Sequence, residues 1–297
     1  MKTLLIGLAF VCFGGALFAM PQDQDEQVRG AFLTSRPKEK TEGAPTGRIG
    51  RRRPKPVPSP TPKHTRPPKP NSTPTPRPDS QRKVVNTARL GLGLTLFLRD
   101  SNGLAVRVDP GHVFGKGDRV RLLLETNTDG YLYIFNTTDN GAPMMIYPDP
   151  QLDEAGNYLQ AHVPFEIPSS TGESEERLRW FTFDENAGTE RLYFVFTREQ
   201  LPGIPIEDDL VSHCKDAKPP CPLRPDAQLW AEIDKQTNDR LQMDRPGRNG
   251  RALSEAERDA TTRGLGLSQD DPPPGLILMA SSASTSRLVT SLDLIHK

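Results

Sequence analysis

The chain has 297 residues, 34% hydrophobic and 26% charged, with 30 prolines, three cysteines and 38 basic side chains balanced by 38 acidic ones. So low an apolar share beside so much proline excludes one packed core running the whole length. Residues 1–35 carry 2 basic and 3 acidic side chains, residues 36–83 carry 14 and 3, and residues 84–297 carry 22 and 32, for net charges of −1, +11 and −10. The neutral total therefore joins a strongly basic stretch to an acidic one, and their opposite signs predict mutual attraction at low salt. Above ~0.15 M salt the screening length of ~8 Å should release it.

At the N-terminus Lys2 precedes a charge-free run over 4–18, with Ala16 and Ala19 as small residues near a cleavage point. This reads as a signal peptide over 1–19, although Leu17 is large for its position, and it predicts export to the periplasm, the cell envelope or the extracellular space. The apolar run of about 15 residues falls short of the ~20 that a membrane-crossing helix requires. If it were retained, the chain would be an anchored, periplasm-spanning protein. No later stretch is long and apolar enough to span a bilayer. Cys12 lies inside the apolar run without the small residues that lipid attachment requires, so a lipoprotein is excluded.

Residues 20–83 read as a disordered linker rich in proline, arginine and lysine. Thirteen prolines fall between 36 and 83, around Arg51-Arg52-Arg53 and Pro54-Lys55-Pro56. Proline fixes φ and donates no hydrogen bond, so neither helix nor sheet ladder is expected. Extended at ~3.1 Å per residue, residues 54–78 would reach roughly 75 Å, a tether able to project the domain behind it. Its charge suits an anionic surface such as lipid or acidic wall polymer. With no aromatic residue to stack on bases, specific nucleic-acid binding is not expected.

From 84 to 297 the pattern changes to short apolar runs of period two between turn residues. Leu90, Leu92, Leu94, Leu96 and Leu98 alternate along one strand, and Asp100-Ser101-Asn102-Gly103 turns the chain into 104–108. Runs at 119–125, 131–136 and 142–147 read as a three-stranded antiparallel meander. Further strands are expected at 165–167, 178–183, 191–197, 276–280 and 287–295. Between them, residues 205–274 break the alternation. Residues 227–242 carry Leu229, Trp230, Ile233 and Leu241 at helical spacing, and Ser254 and Glu257 form a capping box. Within the same stretch Cys214 and Cys221, with six residues between them, predict a disulfide in an oxidising compartment. His213 beside them does not complete the four ligands of a zinc site. The expected fold is mainly β: an immunoglobulin-like antiparallel β-sandwich with a short helical insertion, preceded by a disordered proline-rich basic segment.

Phe114-Gly115-Lys116-Gly117-Asp118-Arg119-Val120-Arg121, Asn127-Thr128-Asp129-Gly130-Tyr131-Leu132-Tyr133 and Ile146-Tyr147-Pro148-Asp149-Pro150 resemble the bacterial domain of unknown function 4384 family. The resemblance runs over roughly 88–200 and the final strand. It implies an exported or envelope-associated β-rich module, and brings no catalytic residue to carry over.

There is no Gly-x-Ser-x-Gly elbow, no dinucleotide or phosphate loop, and no His-Glu-x-x-His. His112, His162, His213 and His296 are isolated in sequence. Asp149, Asp153, Glu154 and Asn157 surround Gly156 but miss the calcium-loop spacing, and an ordinary turn is the better reading. No catalytic, cofactor or metal residues are therefore assigned. The expected recognition surface is Tyr131, Tyr133, Tyr147, Asp149 and Trp180, facing a protein or glycan of the cell envelope. Tyr131 and Tyr133, on one strand face, suit core or cross-strand packing better than an exposed stripe. The expectation is a non-enzymatic envelope module, with a hydrolase assembled from distant residues as the alternative.

Overall fold

The structure is a computed structural model that describes residues 22–39, 88–150, 156–170, 176–215, 221, 223–247 and 249–297. The predicted signal peptide and most of the basic stretch lie outside these residues. Thirteen strands and four helices are described, and the fold is mainly β.

The leucine alternation forms β1 (Gly91–Arg99), which sends Leu92, Leu94 and Leu96 inward and Gly91, Gly93, Thr95 and Phe97 outward. Asp100 makes the turn that follows, its Oδ1 accepting from the backbone of Asn102 and Leu104, and β2 (Ala105–Val108) returns along β1. Then come β3 (Val113–Phe114), β4 (Arg119–Thr126), β5 (Gly130–Thr138), β6 (Met144–Tyr147), β7 (Tyr158–Leu159), β8 (Phe165–Ile167), β9 (Phe181–Thr182) and β10 (Gly188–Thr197). The chain continues through α2 (Glu207–Cys214), α3 (Ala227–Gln236), β11 (Leu241–Asp244), α4 (Glu255–Arg263), β12 (Leu276–Ala280) and β13 (Arg287–His296); α1 (Gln22–Thr34) precedes them all.

The first sheet has the order β11-β12-β1-β4-β8, with β2 beside β1 and β9 beside β4. The second runs β3-β13-β10-β5-β6, with β7 beside β5. All pairings are antiparallel except that of β3 with β13. Leu92, Leu94, Leu122 and Leu124 of one sheet bury against Leu132, Ile134, Phe194 and Phe196 of the other, which makes the pair a sandwich.

The meander does not form. Both sides of β4 are taken, by β1 and by β8 with β9, so the turn after it crosses to the other sheet and only β5 and β6 pair as a hairpin. Residues 227–242 are not one helix either. α3 stops at Gln236, Asn238 and Arg240 take positive φ, and Leu241 joins the edge strand β11. Part of the strand expected at 178–183 is a 3-10 turn, Glu176–Arg179.

Helices cover part of the outer face of each sheet. On the second sheet, Tyr133, Phe135, Tyr193 and Val195 bury against Leu210 of α2 and Leu229 and Ile233 of α3. Cys214 and Cys221 are bonded, with Cα atoms 5.4 Å apart, and tie the end of α2 to the segment before α3. Replacing both by serine is expected to lower the unfolding free energy by about 2.5 kcal/mol, as closing so short a loop implies, read from urea melts with and without reductant.

On the first sheet the structure departs most from the expected linker. Residues 22–39 are not free chain: α1 lies on the sheet, with Val28 and Phe32 buried against Ile277 and Met279. The two outward glycines of β1 make the notch for it. A Cβ on Gly91 would crowd the Phe32 ring, and one on Gly93 would overlap Pro274. The basic stretch thus leaves the domain after residue 39 and rejoins it at 88, where the Ala88 carbonyl accepts from Arg198 and the Arg89 carbonyl from Asn127. It connects two places on one domain, which corrects the picture of a tether that projects a head.

Candidate functional site

Of the five residues expected at a recognition surface, four are buried. Tyr133 is wholly enclosed under α2 and α3, and its hydroxyl accepts from the Leu201 backbone. Tyr147 packs on Phe165 and donates to the Gly156 carbonyl. Asp149 is buried, and Trp180 lies under the Arg121 guanidinium, 3.9 Å from the ring centre. Tyr147 belongs to the core between the sheets, whereas Tyr133 points outward and still meets protein, because α2 and α3 cover that part of the second sheet. Tyr131 alone keeps part of its surface open.

Its exposed companion is a residue that the sequence reading did not single out. Tyr158 of β7 stands opposite Tyr131 of β5, ring centres 5.2 Å apart and 66° from coplanar, and is 45% exposed. The turn between β4 and β5 supplies the polar partner. Asp129 accepts from the Tyr158 hydroxyl at 3.2 Å and, through its other oxygen, from the Ala161 backbone at 2.9 Å. Partial burial, with Asp129 beside it, raises the Tyr158 pKa above the ordinary tyrosine value, so the hydroxyl stays protonated. Two aromatic rings set edge to face beside a fixed carboxylate form a site for a ring or proline with an adjoining hydroxyl or cation.

A second cluster lies at the end of α1. Ser35 Oγ is 3.0 Å from His162 Nε2, and His162 Nδ1 is 2.8 Å from Glu125 Oε1. The order serine, histidine, carboxylate is that of a hydrolytic nucleophile, and it unites residues the sequence scatters across 127 positions. Its surroundings oppose that chemistry. The Ser35 hydroxyl spends its one proton on the Phe32 carbonyl at 2.5 Å, and it sits at the carbonyl end of α1, whose partial negative charge disfavours an oxyanion. The cluster reads instead as a clasp. Arg36, fully buried, donates to both Glu125 oxygens at 2.8 and 2.7 Å and to the carbonyls of Ser268, Asp271 and Pro272. Burial pushes the Glu125 carboxyl up, but hydrogen bonds from His162 and Arg36 outweigh it and hold the group below the ordinary carboxylate range.

Two more buried pairs share this face, Arg107 with Glu257 and Arg121 with Glu166, the latter at 3.7 Å. Between Gly93, Thr95, Glu125, Glu257 and Pro274 lies a cavity of about 10 Å³, room for one water. A larger hollow of about 410 Å³, along Arg99, Asp100, Asp118 and Arg119, is open to solvent. Among the described residues no His, Cys, Asp and Glu cluster is placed to hold a metal. Asp153 and Glu154 lie outside the described residues, and Asn157 donates to the Leu132 carbonyl. No described helix is long and apolar enough to cross a membrane.

Residues 113–200 match the family model of a domain of unknown function (DUF4384). The DUF4384 match runs from β3 to β10 and so contains Tyr131, Tyr158 and Asp129, along with Glu125 and His162. It leaves out the four helices and the strands β1, β2, β11, β12 and β13. No curated protein and no solved structure matches the chain.

Proposed function

We propose that this chain is an exported, non-enzymatic module of the cell envelope that binds a protein or glycan partner at the Tyr131–Tyr158–Asp129 patch. The observation that carries the reading is Tyr158, 45% exposed and set edge to face against Tyr131, with Asp129 accepting from its hydroxyl. An aromatic ring with a carboxylate at its edge suits the apolar face and hydroxyl rim of a sugar, or an aromatic or basic side chain of a protein. The apolar run after Lys2 and the resemblance to envelope modules support an exported location. The basic stretch adds affinity for anionic lipid or wall polymer.

The test uses purified chain against a panel of envelope glycans and against phosphatidylglycerol vesicles. Tyr158→Ala is expected to weaken glycan or protein binding at least tenfold while leaving vesicle binding intact. Vesicle binding should fall steeply with salt. Binding unchanged in Tyr158→Ala would overturn the assignment of the patch. Covalent labelling of Ser35 by a fluorophosphonate probe would overturn the non-enzymatic reading and restore the hydrolase.

A further inference from the structure

We propose that the aromatic–acidic patch is also the docking place of the chain's own basic proline-rich stretch, so that the domain carries an occupant for its recognition surface. This rests on the reading of Tyr131, Tyr158 and Asp129 as a recognition surface. The stretch rejoins the domain next to the patch. Asn127, which holds the Arg89 carbonyl, opens the same turn that carries Asp129. Arg198, which holds the Ala88 carbonyl, follows Thr197, and Thr197 is the cross-strand partner of Tyr131. Tyr131 in turn faces Tyr158. Residues 88 and 89 therefore enter the fold beside the turn that carries Asp129 and next to the strand that pairs with Tyr131.

The composition of what precedes it fits the patch. Residues 40–87 hold 12 prolines and 12 lysines and arginines against two acidic residues, and the nearest part reads Thr73-Pro74-Thr75-Pro76-Arg77-Pro78-Asp79-Ser80-Gln81-Arg82-Lys83. Proline-rich chain is recognised by aromatic grooves that take its rings, and a carboxylate beside the rings selects a flanking cation. Here Asp129 is that carboxylate, on a domain of net charge −10 over residues 84–297. With only four to fourteen residues between this segment and the anchored Ala88, its effective concentration at the patch is on the order of millimolar, so an intrinsically weak contact suffices. A partner would then bind by displacing the segment.

The test places a photo-crosslinker in the full chain, Tyr158→p-benzoyl-phenylalanine, and maps the products by mass spectrometry. Crosslinks to residues 73–83 are expected at low salt. They should fall at least fivefold in 0.5 M NaCl and in the triple variant Arg77→Glu, Arg82→Glu, Lys83→Glu. Glycan or protein binding at the patch should strengthen by a similar factor in that variant. Crosslinks that survive charge reversal, or that land outside residues 40–87, overturn the proposal. Partner binding that depends on Tyr158 but is indifferent to the charge reversal leaves the recognition surface standing and removes the occupant.

Discussion

Replacing Arg36 by alanine is expected to lower the unfolding free energy by about 3–5 kcal/mol, the cost of leaving a buried charge without its partner. Arg36 is fully enclosed and directs donors at both oxygens of Glu125 and at three backbone carbonyls. Without it the Glu125 carboxylate keeps only His162, and the carbonyls of Ser268, Asp271 and Pro272 lose a donor. Urea melts would give the magnitude. Amide exchange would locate the loss, since protection over residues 22–39 should vanish first. A loss below 1 kcal/mol would show that Val28, Phe32 and the Arg29–Asp244 pair hold α1 on the sheet without the clasp. The same clasp makes docking sensitive to acid. Because Glu125 titrates below its unfolded value of about 4.3, its contribution is complete above that pH and is lost as pH falls through the folded value. Glu125→Gln should be less stable at neutral pH and should no longer loosen α1 on acidification.

Glu257→Ala should be as damaging, by about 3–5 kcal/mol, through an independent pair. Glu257 has two tasks. One is the Arg107 guanidinium, buried between the sheet and α4 and lying over the Phe97 ring. The other is the capping box: its carboxylate accepts from the Ser254 backbone and hydroxyl, while its own backbone donates to Ser254 Oγ. Losing the cap costs about 1 kcal/mol, and the rest comes from stranding Arg107. Ser254→Ala separates the two, since it removes only the cap. If the two variants were equally destabilised, the Arg107 pair would be contributing nothing.

Most strands were legible because alternation and turn residues sit next to each other in the chain. Leu92, Leu94 and Leu96 face one way whatever follows them, and Asp100–Gly103 turns on its own hydrogen bonds. The sandwich class followed from their number and spacing, and Cys214 with Cys221 from theirs. The missing parts depended on partners far away. Only Val28, Ala31, Phe32 and Leu33 mark the apolar side of α1, and what receives them is a notch at Gly91 and Gly93 with Ile277 and Met279 behind it. Nothing in residues 22–34 announces that notch. Strands β3 and β7, of two residues each, are too short for any period.

The site was hidden for a related reason. The burial of Tyr133 agrees with the packing that its strand spacing favours, whereas Trp180 is covered by the Arg121 guanidinium, which only the fold brings to it. Tyr158 carried one local signal, an aromatic residue just after the turn residues Gly156 and Asn157. Its pairing with Tyr131 is a matter of register between β5 and β7, which no spacing in the sequence states.

Because Arg36 and Pro37 at one end and Ala88 at the other are held on the domain, the basic stretch between them is a closed loop in the topological sense. A protease that cuts a tether once sets its cargo free. One cut after any arginine or lysine between 40 and 83 would instead turn this chain into a heterodimer of a short α1 fragment and the sandwich, gripped at Phe32 and Arg36. The nicked pair should travel together through gel filtration at neutral pH and come apart in acid. Proteolysis would thereby give the protein two new chain ends within its basic segment while the fold survives intact.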